Sequence, residues 1–347
     1  MPDPNPRQGG VPDPWLTSMA ISYMDKMQEF FVADKVFPTI PSATSYGRYK
    51  EYGRSYFLQD NAGPRPIGGY PRQVGFRWGS NPYQITADEL EAVIDDQERP
   101  DLDYPGMPGG KVDIERDKIN LLVSQLMVRG DRKWANAFMK PGVWGTDLTG
   151  VASLTPTATQ FTQWDNDNSK PSLFLDQQRG ALGDKYGDMW RPNKLVLGRQ
   201  VYTALRNHPV ILNKLGVNQD RILGKEDLAR FFDMDPGSIL VPGGIYNSGP
   251  EKESFADTET AAVYNRIVST KDALLVYANP TPSSEAPSGG YGFRWTGYLG
   301  ANAMDPRAGV TRGRDPRAYS DWFHCRTAVD YRITAPGLGI YLINAVA

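Results

Sequence analysis

The sequence has few of the residues that catalytic and disulfide-stabilised proteins use. It has one cysteine, Cys325, and two histidines, His208 and His324, among 347 residues. A single cysteine excludes an internal disulfide framework and is typical of a reducing compartment. The N-terminal segment has neither the basic nor the apolar stretch of a signal peptide, and no apolar run approaches the ~18 residues that a membrane span needs. We therefore expect a protein that folds in the cytoplasm and has no membrane partner.

The sequence also lacks an excess of basic residues. Lys and Arg total 38, Asp and Glu total 40, and the formal net charge is −2. Proteins that bind nucleic acid tightly normally carry a basic excess, so this balance does not favour that function. Glycine (35) and proline (28) are abundant, which indicates many turns and long loops. The chain is long enough to form two or more lobes.

The known motifs of catalysis fail at specific positions. Gly110-Lys111 and Gly224-Lys225 lack the earlier glycine and the following hydroxyl of a phosphate-binding loop, and the segment around Ser288 lacks the first glycine of a nucleophile elbow. His324 and Cys325 are neighbours in a predicted strand, where alternate side chains point to opposite faces, so they cannot form a nucleophile–base pair. The chain is therefore predicted not to be an enzyme, and we expect no catalytic residue and no cofactor.

The best calcium candidate is Asp165-x-Asp167-x-Ser169, with Asp176 at the twelfth position. Lys170 stands where a calcium loop needs glycine, and an aspartate stands where it needs glutamate. A solvated loop is the better interpretation, so no metal ligand is predicted.

A long helix is the strongest secondary-structure prediction. Apolar residues recur at three- and four-residue steps over residues 111–139, between a Pro-Gly-Gly and a Pro-Gly sequence. The predicted buried face holds Ile119, Leu122, Val123, Leu126, Met127, Trp134, Ala137 and Phe138, and the predicted water-facing side holds Arg116, Asn120, Ser124 and Asp131. Gly130 costs the helix about 1 kcal/mol relative to alanine, and marks a place where the helix bends or another backbone comes close.

Two segments precede this helix at the N-terminus. Residues 1–14 contain five prolines, which disfavour a helix and predict an extended arm. An amphipathic helix is predicted over residues 16–32. Its apolar face packs either on its own domain or on a neighbouring subunit, and the sequence leaves both open.

Residues 46–78 and 88–103 differ sharply in charge. The first segment is basic and predicts a long two-stranded hairpin with an irregular tip, whereas the second is strongly acidic. Charge runs of this kind are usually solvated faces. The opposite charges of the two segments still suggest that the basic hairpin docks on the acidic segment, within one chain or between chains. The candidate contact residues are Arg54, Arg65, Arg72, Arg77, Asp95, Asp96, Glu98 and Asp101, to which a basic turn adds Arg312 and Arg314.

The remaining chain alternates helices and short apolar strands. Helices are predicted over 173–182, over 201–215 with an interruption at His208-Pro209, and over 226–232; strands are predicted over 193–198 and 238–241. Together they predict a compact α/β lobe over 171–242. Further strands are predicted over 273–277, 291–295, 322–334 and 339–346.

The order of these parts resembles the major capsid proteins of tailed bacteriophages with the Hong Kong-phage-type shell fold. The resemblance rests on residues 191–209 (RPNKLVLGRQVYTALRNHP) and then on 227–233, 239–243, 271–280 and 292–295. It implies an α+β fold with an N-terminal arm (1–44), an extended β-hairpin loop (45–87), a peripheral domain (88–170) with spine helix 111–139, an α/β axial domain (171–255), and strands that return to the peripheral domain (256–347).

The resemblance also implies a structural function. Copies of the chain would assemble, as hexamers and pentamers, into an icosahedral virion shell that encloses double-stranded DNA without sequence-specific binding. Portal, scaffolding and decoration proteins are the implied partners, and the host cytoplasm is the implied place of assembly. Some family members form a lysine–asparagine crosslink from this loop, but Lys50, the only lysine in 46–78, lies well before the tip. The crosslink is therefore not carried over.

Two other functions stay open at this point. An encapsulin-type shell has the same fold around a protein cargo, and the early helix over 16–32 is compatible with it. A carbohydrate-binding or hydrolytic domain is suggested by the 8 Trp, 18 Tyr and 13 Phe residues and by the abundant loops. That function would need a cleft with exposed tryptophans near paired carboxylates.

Overall fold

The computed structural model describes residues 11–51, 59–65, 67–75, 79–98, 114–215, 223–250, 256, 260–281, 287–299 and 307–347. Within these ranges the chain forms two large sheets, two separate two-stranded hairpins and eight α-helices. The helices are α1 (Pro14–Met27), α2 (Ala33–Val36), α3 (Ile114–Phe138), α4 (Pro171–Tyr186), α5 (Arg199–Arg206), α6 (Pro209–Leu215), α7 (Lys225–Phe231) and α8 (Thr296–Leu299). Of the helices in these ranges, none is long and apolar enough to cross a membrane.

The first large sheet, sheet I, is built around one long strand. This strand, β15, pairs antiparallel with β14, β13 and β5, while β1 pairs with β14 and β2 pairs parallel with β13. The strands are β1 (Val11–Pro12), β2 (Thr39–Ser42), β5 (Ala87–Asp95), β13 (Gly290–Trp295), β14 (Gly309–Asp315) and β15 (Ser320–Ile333). Both the N-terminal segment and the C-terminal region therefore contribute to one sheet.

The second large sheet, sheet II, has apolar side chains on both faces. Its strands, in spatial order, are β7 (Gln160–Thr162), β6 (Thr146–Val151), β16 (Gly339–Ile343), β12 (Ala273–Val276), β8 (Lys194–Leu197) and β9 (Ile239–Leu240). Leu275 packs into a core with residues of α4 to α7, whereas its neighbours Leu274 and Val276 pack into a second core with α3. Burial on both faces explains why β8 and β12 are continuous apolar runs.

Sheet II crosses the predicted domain boundaries. The locally predicted helices and strands of 171–242 are present, and the interruption at His208-Pro209 separates α5 from α6. However, β6 and β7 come from the range 88–170, and β12 and β16 come from the range 256–347, so the division at 170/171 and 255/256 does not match the sheet. The reason is that β16 pairs antiparallel with β12 and parallel with β6, which joins segments distant in sequence.

Helix α3 connects the two sheets. It was predicted over 111–139 and spans Ile114–Phe138, while residues 111–113 lie outside the described ranges. Its 25 residues extend over about 37 Å. Ile119 in its first half packs in a core with α1 and sheet I, and Trp134 and Phe138 pack in a core with α2 and both sheets. The long amphipathic helix is therefore confirmed.

The prediction for Asp131 is wrong, and one of the two alternatives for Gly130 is wrong. Asp131 was predicted to face water, but only 1% of it is exposed, because it accepts two hydrogen bonds from backbone N–H groups of a neighbouring segment. Gly130 was predicted to mark a bend or a close backbone; α3 is continuous through it, the bend stays a prediction, and the close backbone is not found. No heavy atom outside the backbone of its own helix lies within 4 Å of the position that a Cβ of Gly130 would take.

The N-terminal helix α1 begins and ends earlier than predicted. It starts at Pro14, a residue tolerated in the first turn because its missing N–H would have no helical partner there. The Asp13 side chain caps the helix by accepting bonds of 3.0 Å from the N–H groups of Trp15 and Leu16. Its apolar face packs on α3 and sheet I, which settles the open question in favour of its own chain. Residues 1–10 of the predicted arm lie outside the described ranges.

The extended loop begins as a hairpin of β3 (Tyr46–Glu51) and β4 (Gly79–Gln84). The predicted second strand ended at residue 78, so its position is corrected, and residues 76–78 lie outside the described ranges. The described residues between 59 and 75 have no regular strand, in agreement with an irregular tip. The second hairpin joins β10 (Ile245–Asn247) and β11 (Tyr264–Arg266).

Candidate assembly surfaces

Aromatic side chains attach the base of the extended loop to sheet I. Tyr83 of β4 stacks on Phe293 of β13 with ring centroids 4.2 Å apart and planes 4° apart, and Tyr49 of β3 stacks on the same ring at 5.6 Å. The Tyr83 hydroxyl lies 3.0 Å from the Oγ of Ser42. Each stacked pair stabilises the contact by about 0.5–1.5 kcal/mol beyond its buried area. The base of the loop is therefore held on its own subunit.

Gly47 makes this stacking possible. It lies opposite Tyr83 in the β3–β4 register, and a Cβ at this position would lie 2.4 Å from the Tyr83 hydroxyl oxygen. Any other residue would push the ring away from Phe293. Sequence reasoning did not single out Tyr83 or Gly47.

The body of the loop exposes both apolar and basic side chains. Ile67 is fully exposed, Tyr70 is 95% exposed and Val74 is also exposed. Arg65 and Arg72 are exposed too, and the Nε–H of Arg65 donates a local bond of 2.6 Å to the carbonyl of Gly69. Arg54 and Arg77 lie outside the described ranges. Exposed apolar groups on a segment with no core of its own form a surface that a second chain can cover.

The acidic segment is paired to a large extent within its own chain. Asp88 contacts Lys133 of α3 and lies 3.4 Å from the Nε of Arg129. Glu98 lies 3.0 Å from the Nζ of Lys118, also on α3. Much of the segment forms β5, which was not predicted to be a strand. Helix α3 therefore neutralises part of the charge that the predicted docking would use.

Other predicted contact acids follow the same pattern or lie outside the described ranges. Asp95 accepts a bond of 2.8 Å from the N–H of Gln97, which closes a local turn after β5. Asp101 lies outside the described ranges.

The predicted contact residues Asp96 and Arg314 meet within one chain. The Nη1 of Arg314 lies 3.2 Å from Asp96 Oδ1 and 3.1 Å from Asp321 Oδ1, and the hydrogen bond to Asp96 raises the pKa of Arg314. Arg312 lies 3.5 Å from Glu115 at the start of α3. Both arginine side chains stay nearly half exposed, so solvent screens these pairs and they contribute little to stability. The two arginines can still contact another chain.

The residues considered for catalysis are held apart. His324 lies 3.0 Å from Glu89 Oε2 on one face of β15, whereas Cys325 is buried on the other face, where burial raises its pKa to about 12. Ser169 of the calcium candidate is buried, with its Oγ 2.9 Å from the Nε2 of His208. In the part of the chain that the structure describes, no group of three or more His, Cys, Asp or Glu side chains could hold a metal ion.

Asp131 is a polar site that sequence reasoning missed. Its Oδ1 accepts bonds of 3.0 and 2.8 Å from the N–H groups of Val32 and Ala33 at the start of α2. Burial raises its pKa to about 6, although the two backbone bonds act in the opposite direction. A signal was available, since Asp131 is four residues after Met127 and three before Trp134, which places it on the apolar face of α3.

Comparison with known proteins finds similar proteins over most of the chain. No family model matches it. It is 22% identical over 342 residues to the major capsid protein of Pseudomonas phage JBD67, covering 96% of this chain and 97% of that protein. It is 22% identical over 251 residues to the major capsid protein of Burkholderia phage BcepMu, covering 71% and 73%. Its fold is similar to that of a phage-related protein from Bordetella bronchiseptica RB50, with a TM-score of 0.68, 20% identity, and coverage of 97% and 99%.

Proposed function

We propose that this chain is the major capsid protein of a tailed bacteriophage, and that its copies assemble into the icosahedral shell around the viral double-stranded DNA. The observation that carries the proposal is the end-to-end similarity to a phage major capsid protein, which covers 96% of this chain and 97% of that protein. The chain acts as a structural protein, and chemistry on a substrate is not part of its function. Its place is the capsid of the virion, after assembly in the host cytoplasm.

The physical properties of the chain support a shell component. Closed shells form from many modest interfaces and derive their strength from the number of contacts. The extended loop fits this scheme because its base is stacked on its own sheet while its body exposes Ile67 and Tyr70. A net charge of −2 suits a wall that encloses DNA without binding its sequence.

We assign the parts of the fold to roles in hexamers and pentamers of this shell. Sheet I with α3 is the peripheral domain, and sheet II with α4 to α7 is the axial domain that meets its copies around the symmetry axes. The extended loop (45–87) overlies an adjacent subunit. Portal and scaffolding proteins are partners in assembly, and a decoration protein is a further candidate.

Negative-stain microscopy of the purified chain, alone and co-expressed with the products of its neighbouring genes, tests the function. We expect uniform icosahedral particles in at least one of these expression conditions, and DNA inside the particles made during infection. Particles that hold a specific protein instead of DNA would favour the encapsulin-type alternative. A folded chain that stays monomeric in every arm would contradict the proposal.

Charge reversal tests the role of the loop. We expect that Arg65→Glu with Arg72→Glu lowers the yield of shells, because both side chains are exposed on a loop that must lie on another subunit. The matched control is Arg65→Lys with Arg72→Lys, which keeps the charge and should assemble at the normal yield. Normal shell yield from the reversed variant would refute the loop contact while leaving the capsid function intact.

A further inference from the structure

A small cavity, partly open to solvent, lies where α1, α2, α3 and sheet I meet. Its volume is about 60 Å³, and its wall includes Asp131 and Gly130 of α3 together with Asp34, Arg294 and Tyr331. A water molecule needs roughly 10–15 Å³ of such space, so the cavity has room for several waters. Water can therefore stand where these elements meet, whereas Asp131 Oδ2 itself is closed to solvent.

The two carboxyl oxygens of Asp131 have different surroundings. Oδ1 accepts the two N–H groups of residues 32–33, whereas Oδ2 is buried and has no hydrogen-bond partner among the described residues. A Cβ on Gly244 would lie 3.4 Å from Oδ2, so the chain just before β10 closes over this oxygen. The N–H of Gly243 donates a bond of 3.0 Å to the carbonyl of Phe30. Three segments distant in sequence thus meet at one carboxyl group.

The charged groups around the cavity are engaged elsewhere. Asp34 of α2 accepts a bond of 2.8 Å from Arg294 of β13 and one of 3.4 Å from the hydroxyl of Tyr331 of β15. The Nζ of Lys35 donates to the carbonyl of Gln28 at 2.5 Å.

Arg307 also belongs to the cavity wall, and its Nη1 lies 2.8 Å from Oδ1 of Asp25 on α1. The closing residues Gly243 and Gly244 carry no charge. In the described ranges, none of the cations Lys35, Arg294 and Arg307 forms an ion pair with Asp131, and the charge of Lys35 lowers the pKa of Asp131 less than burial raises it.

We propose that Asp131 is a proton-binding site. When it is protonated, it holds residues 32–33 and 243–244 against α3, a set of contacts called the joint below. When it ionises, these contacts become weaker. A carboxylate buried without a cation is costly, and opening the joint lets water reach Oδ2 and removes that cost. A neutral carboxyl group is buried at much lower cost. The inference rests on contacts within one subunit and does not depend on the proposed shell function.

The size of the effect follows from proton linkage. The pKa of Asp131 is about 6 in the closed joint, against 3.8 for a hydrated aspartate. The closed form therefore binds the proton more tightly, and the equilibrium constant for opening rises with pH between these two values. From pH 5 to pH 7 the expected rise is about ten-fold.

Hydrogen exchange of the full chain, followed by mass spectrometry and corrected for the intrinsic pH dependence of exchange, tests this. Peptides covering 29–36 and 240–247 should be about ten-fold more protected at pH 5 than at pH 7, whereas β12 serves as the internal control. Asp131→Asn should remove the difference, and Asp117→Asn, an exposed acid on the same helix, should keep it. Equal protection at both pH values in the unmodified chain would overturn the proposal even if the Asp131→Asn variant did not fold. A pH effect that persists in a folded Asp131→Asn variant would overturn it too.

Discussion

Replacing Gly47 with alanine should loosen the attachment of the base of the extended loop to sheet I. The new Cβ would lie 2.4 Å from the hydroxyl oxygen of Tyr83 and 2.5 Å from its Cζ, so the ring must move. Movement of the ring removes its stack on Phe293, which is worth about 0.5–1.5 kcal/mol. It also removes the contact with Ser42, worth about 0.5–1.5 kcal/mol as a hydrogen bond. The free energy of unfolding should therefore fall by about 1–3 kcal/mol.

A double-mutant cycle separates this clash from a general effect on the strand. Urea unfolding of the unassembled chain would be measured for Gly47→Ala, Tyr83→Ala and the pair. If the clash is the cause, Gly47→Ala has almost no cost once the ring is absent, and the coupling energy is about 1–3 kcal/mol. Equal costs for Gly47→Ala in both backgrounds would refute the reasoning. Shell yield measured in parallel would report whether a loosened base also impairs assembly.

Two further predictions concern α3. Gly130→Ala should raise the free energy of unfolding by about 1 kcal/mol, because an interior helical glycine costs this much and the new methyl group meets open space; lower stability in urea unfolding would contradict this. Between pH 4 and pH 7 the free energy of unfolding of the Asp131→Asn variant should rise by about 2 kcal/mol relative to that of the unmodified chain, for a pKa raised from 3.8 to about 6. The sign follows from the raised pKa of Asp131. The protonated carboxyl group contributes its full stabilisation at low pH, and this stabilisation is lost as the group ionises with rising pH. A constant difference between the two proteins across this range would show that Asp131 does not titrate as inferred.

The sequence was most informative where a pattern is local. The apolar stripe of α3 appears where its periodicity places it, and the break between α5 and α6 appears at the predicted proline. The strands β8 and β12 appear where short, continuous apolar runs place them. Each of these signals depends on residues within a few positions of one another.

The strand β5 was not predicted because it lies in the acidic segment. In β5, Leu90, Ala92 and Ile94 alternate with Glu91 and the exposed Val93, and the first three side chains pack on the core shared with α3. The period-2 pattern of a half-buried strand was present, but the run of acids suggested a solvated segment. Which acids are paired could not be predicted, because their partners Lys118 and Lys133 lie on a helix and are 20 and 45 residues away in sequence.

The order of the strands in sheet II could not be predicted from local sequence patterns either. β16, near the C-terminus, lies between β6 and β12, which are separated by more than a hundred residues. Strands buried on both faces carry no alternation that would indicate their neighbours. The lobe predicted over 171–242 was therefore an incomplete part of a larger unit.

The ion pairs of the acidic segment affect how the extended loop can bind another copy of the chain. The docking hypothesis used opposite charges, yet Asp88 and Glu98 already have cationic partners on α3, and Asp96 has Arg314. Exposed ion pairs contribute little, so exchanging one set of partners for another would gain almost nothing. The exposed side chains of Ile67 and Tyr70 differ, because burying them removes apolar area from water at about 25 cal/mol per Å². Contact between subunits through this loop should therefore draw its affinity from the apolar groups, and its orientation from the arginines beside them.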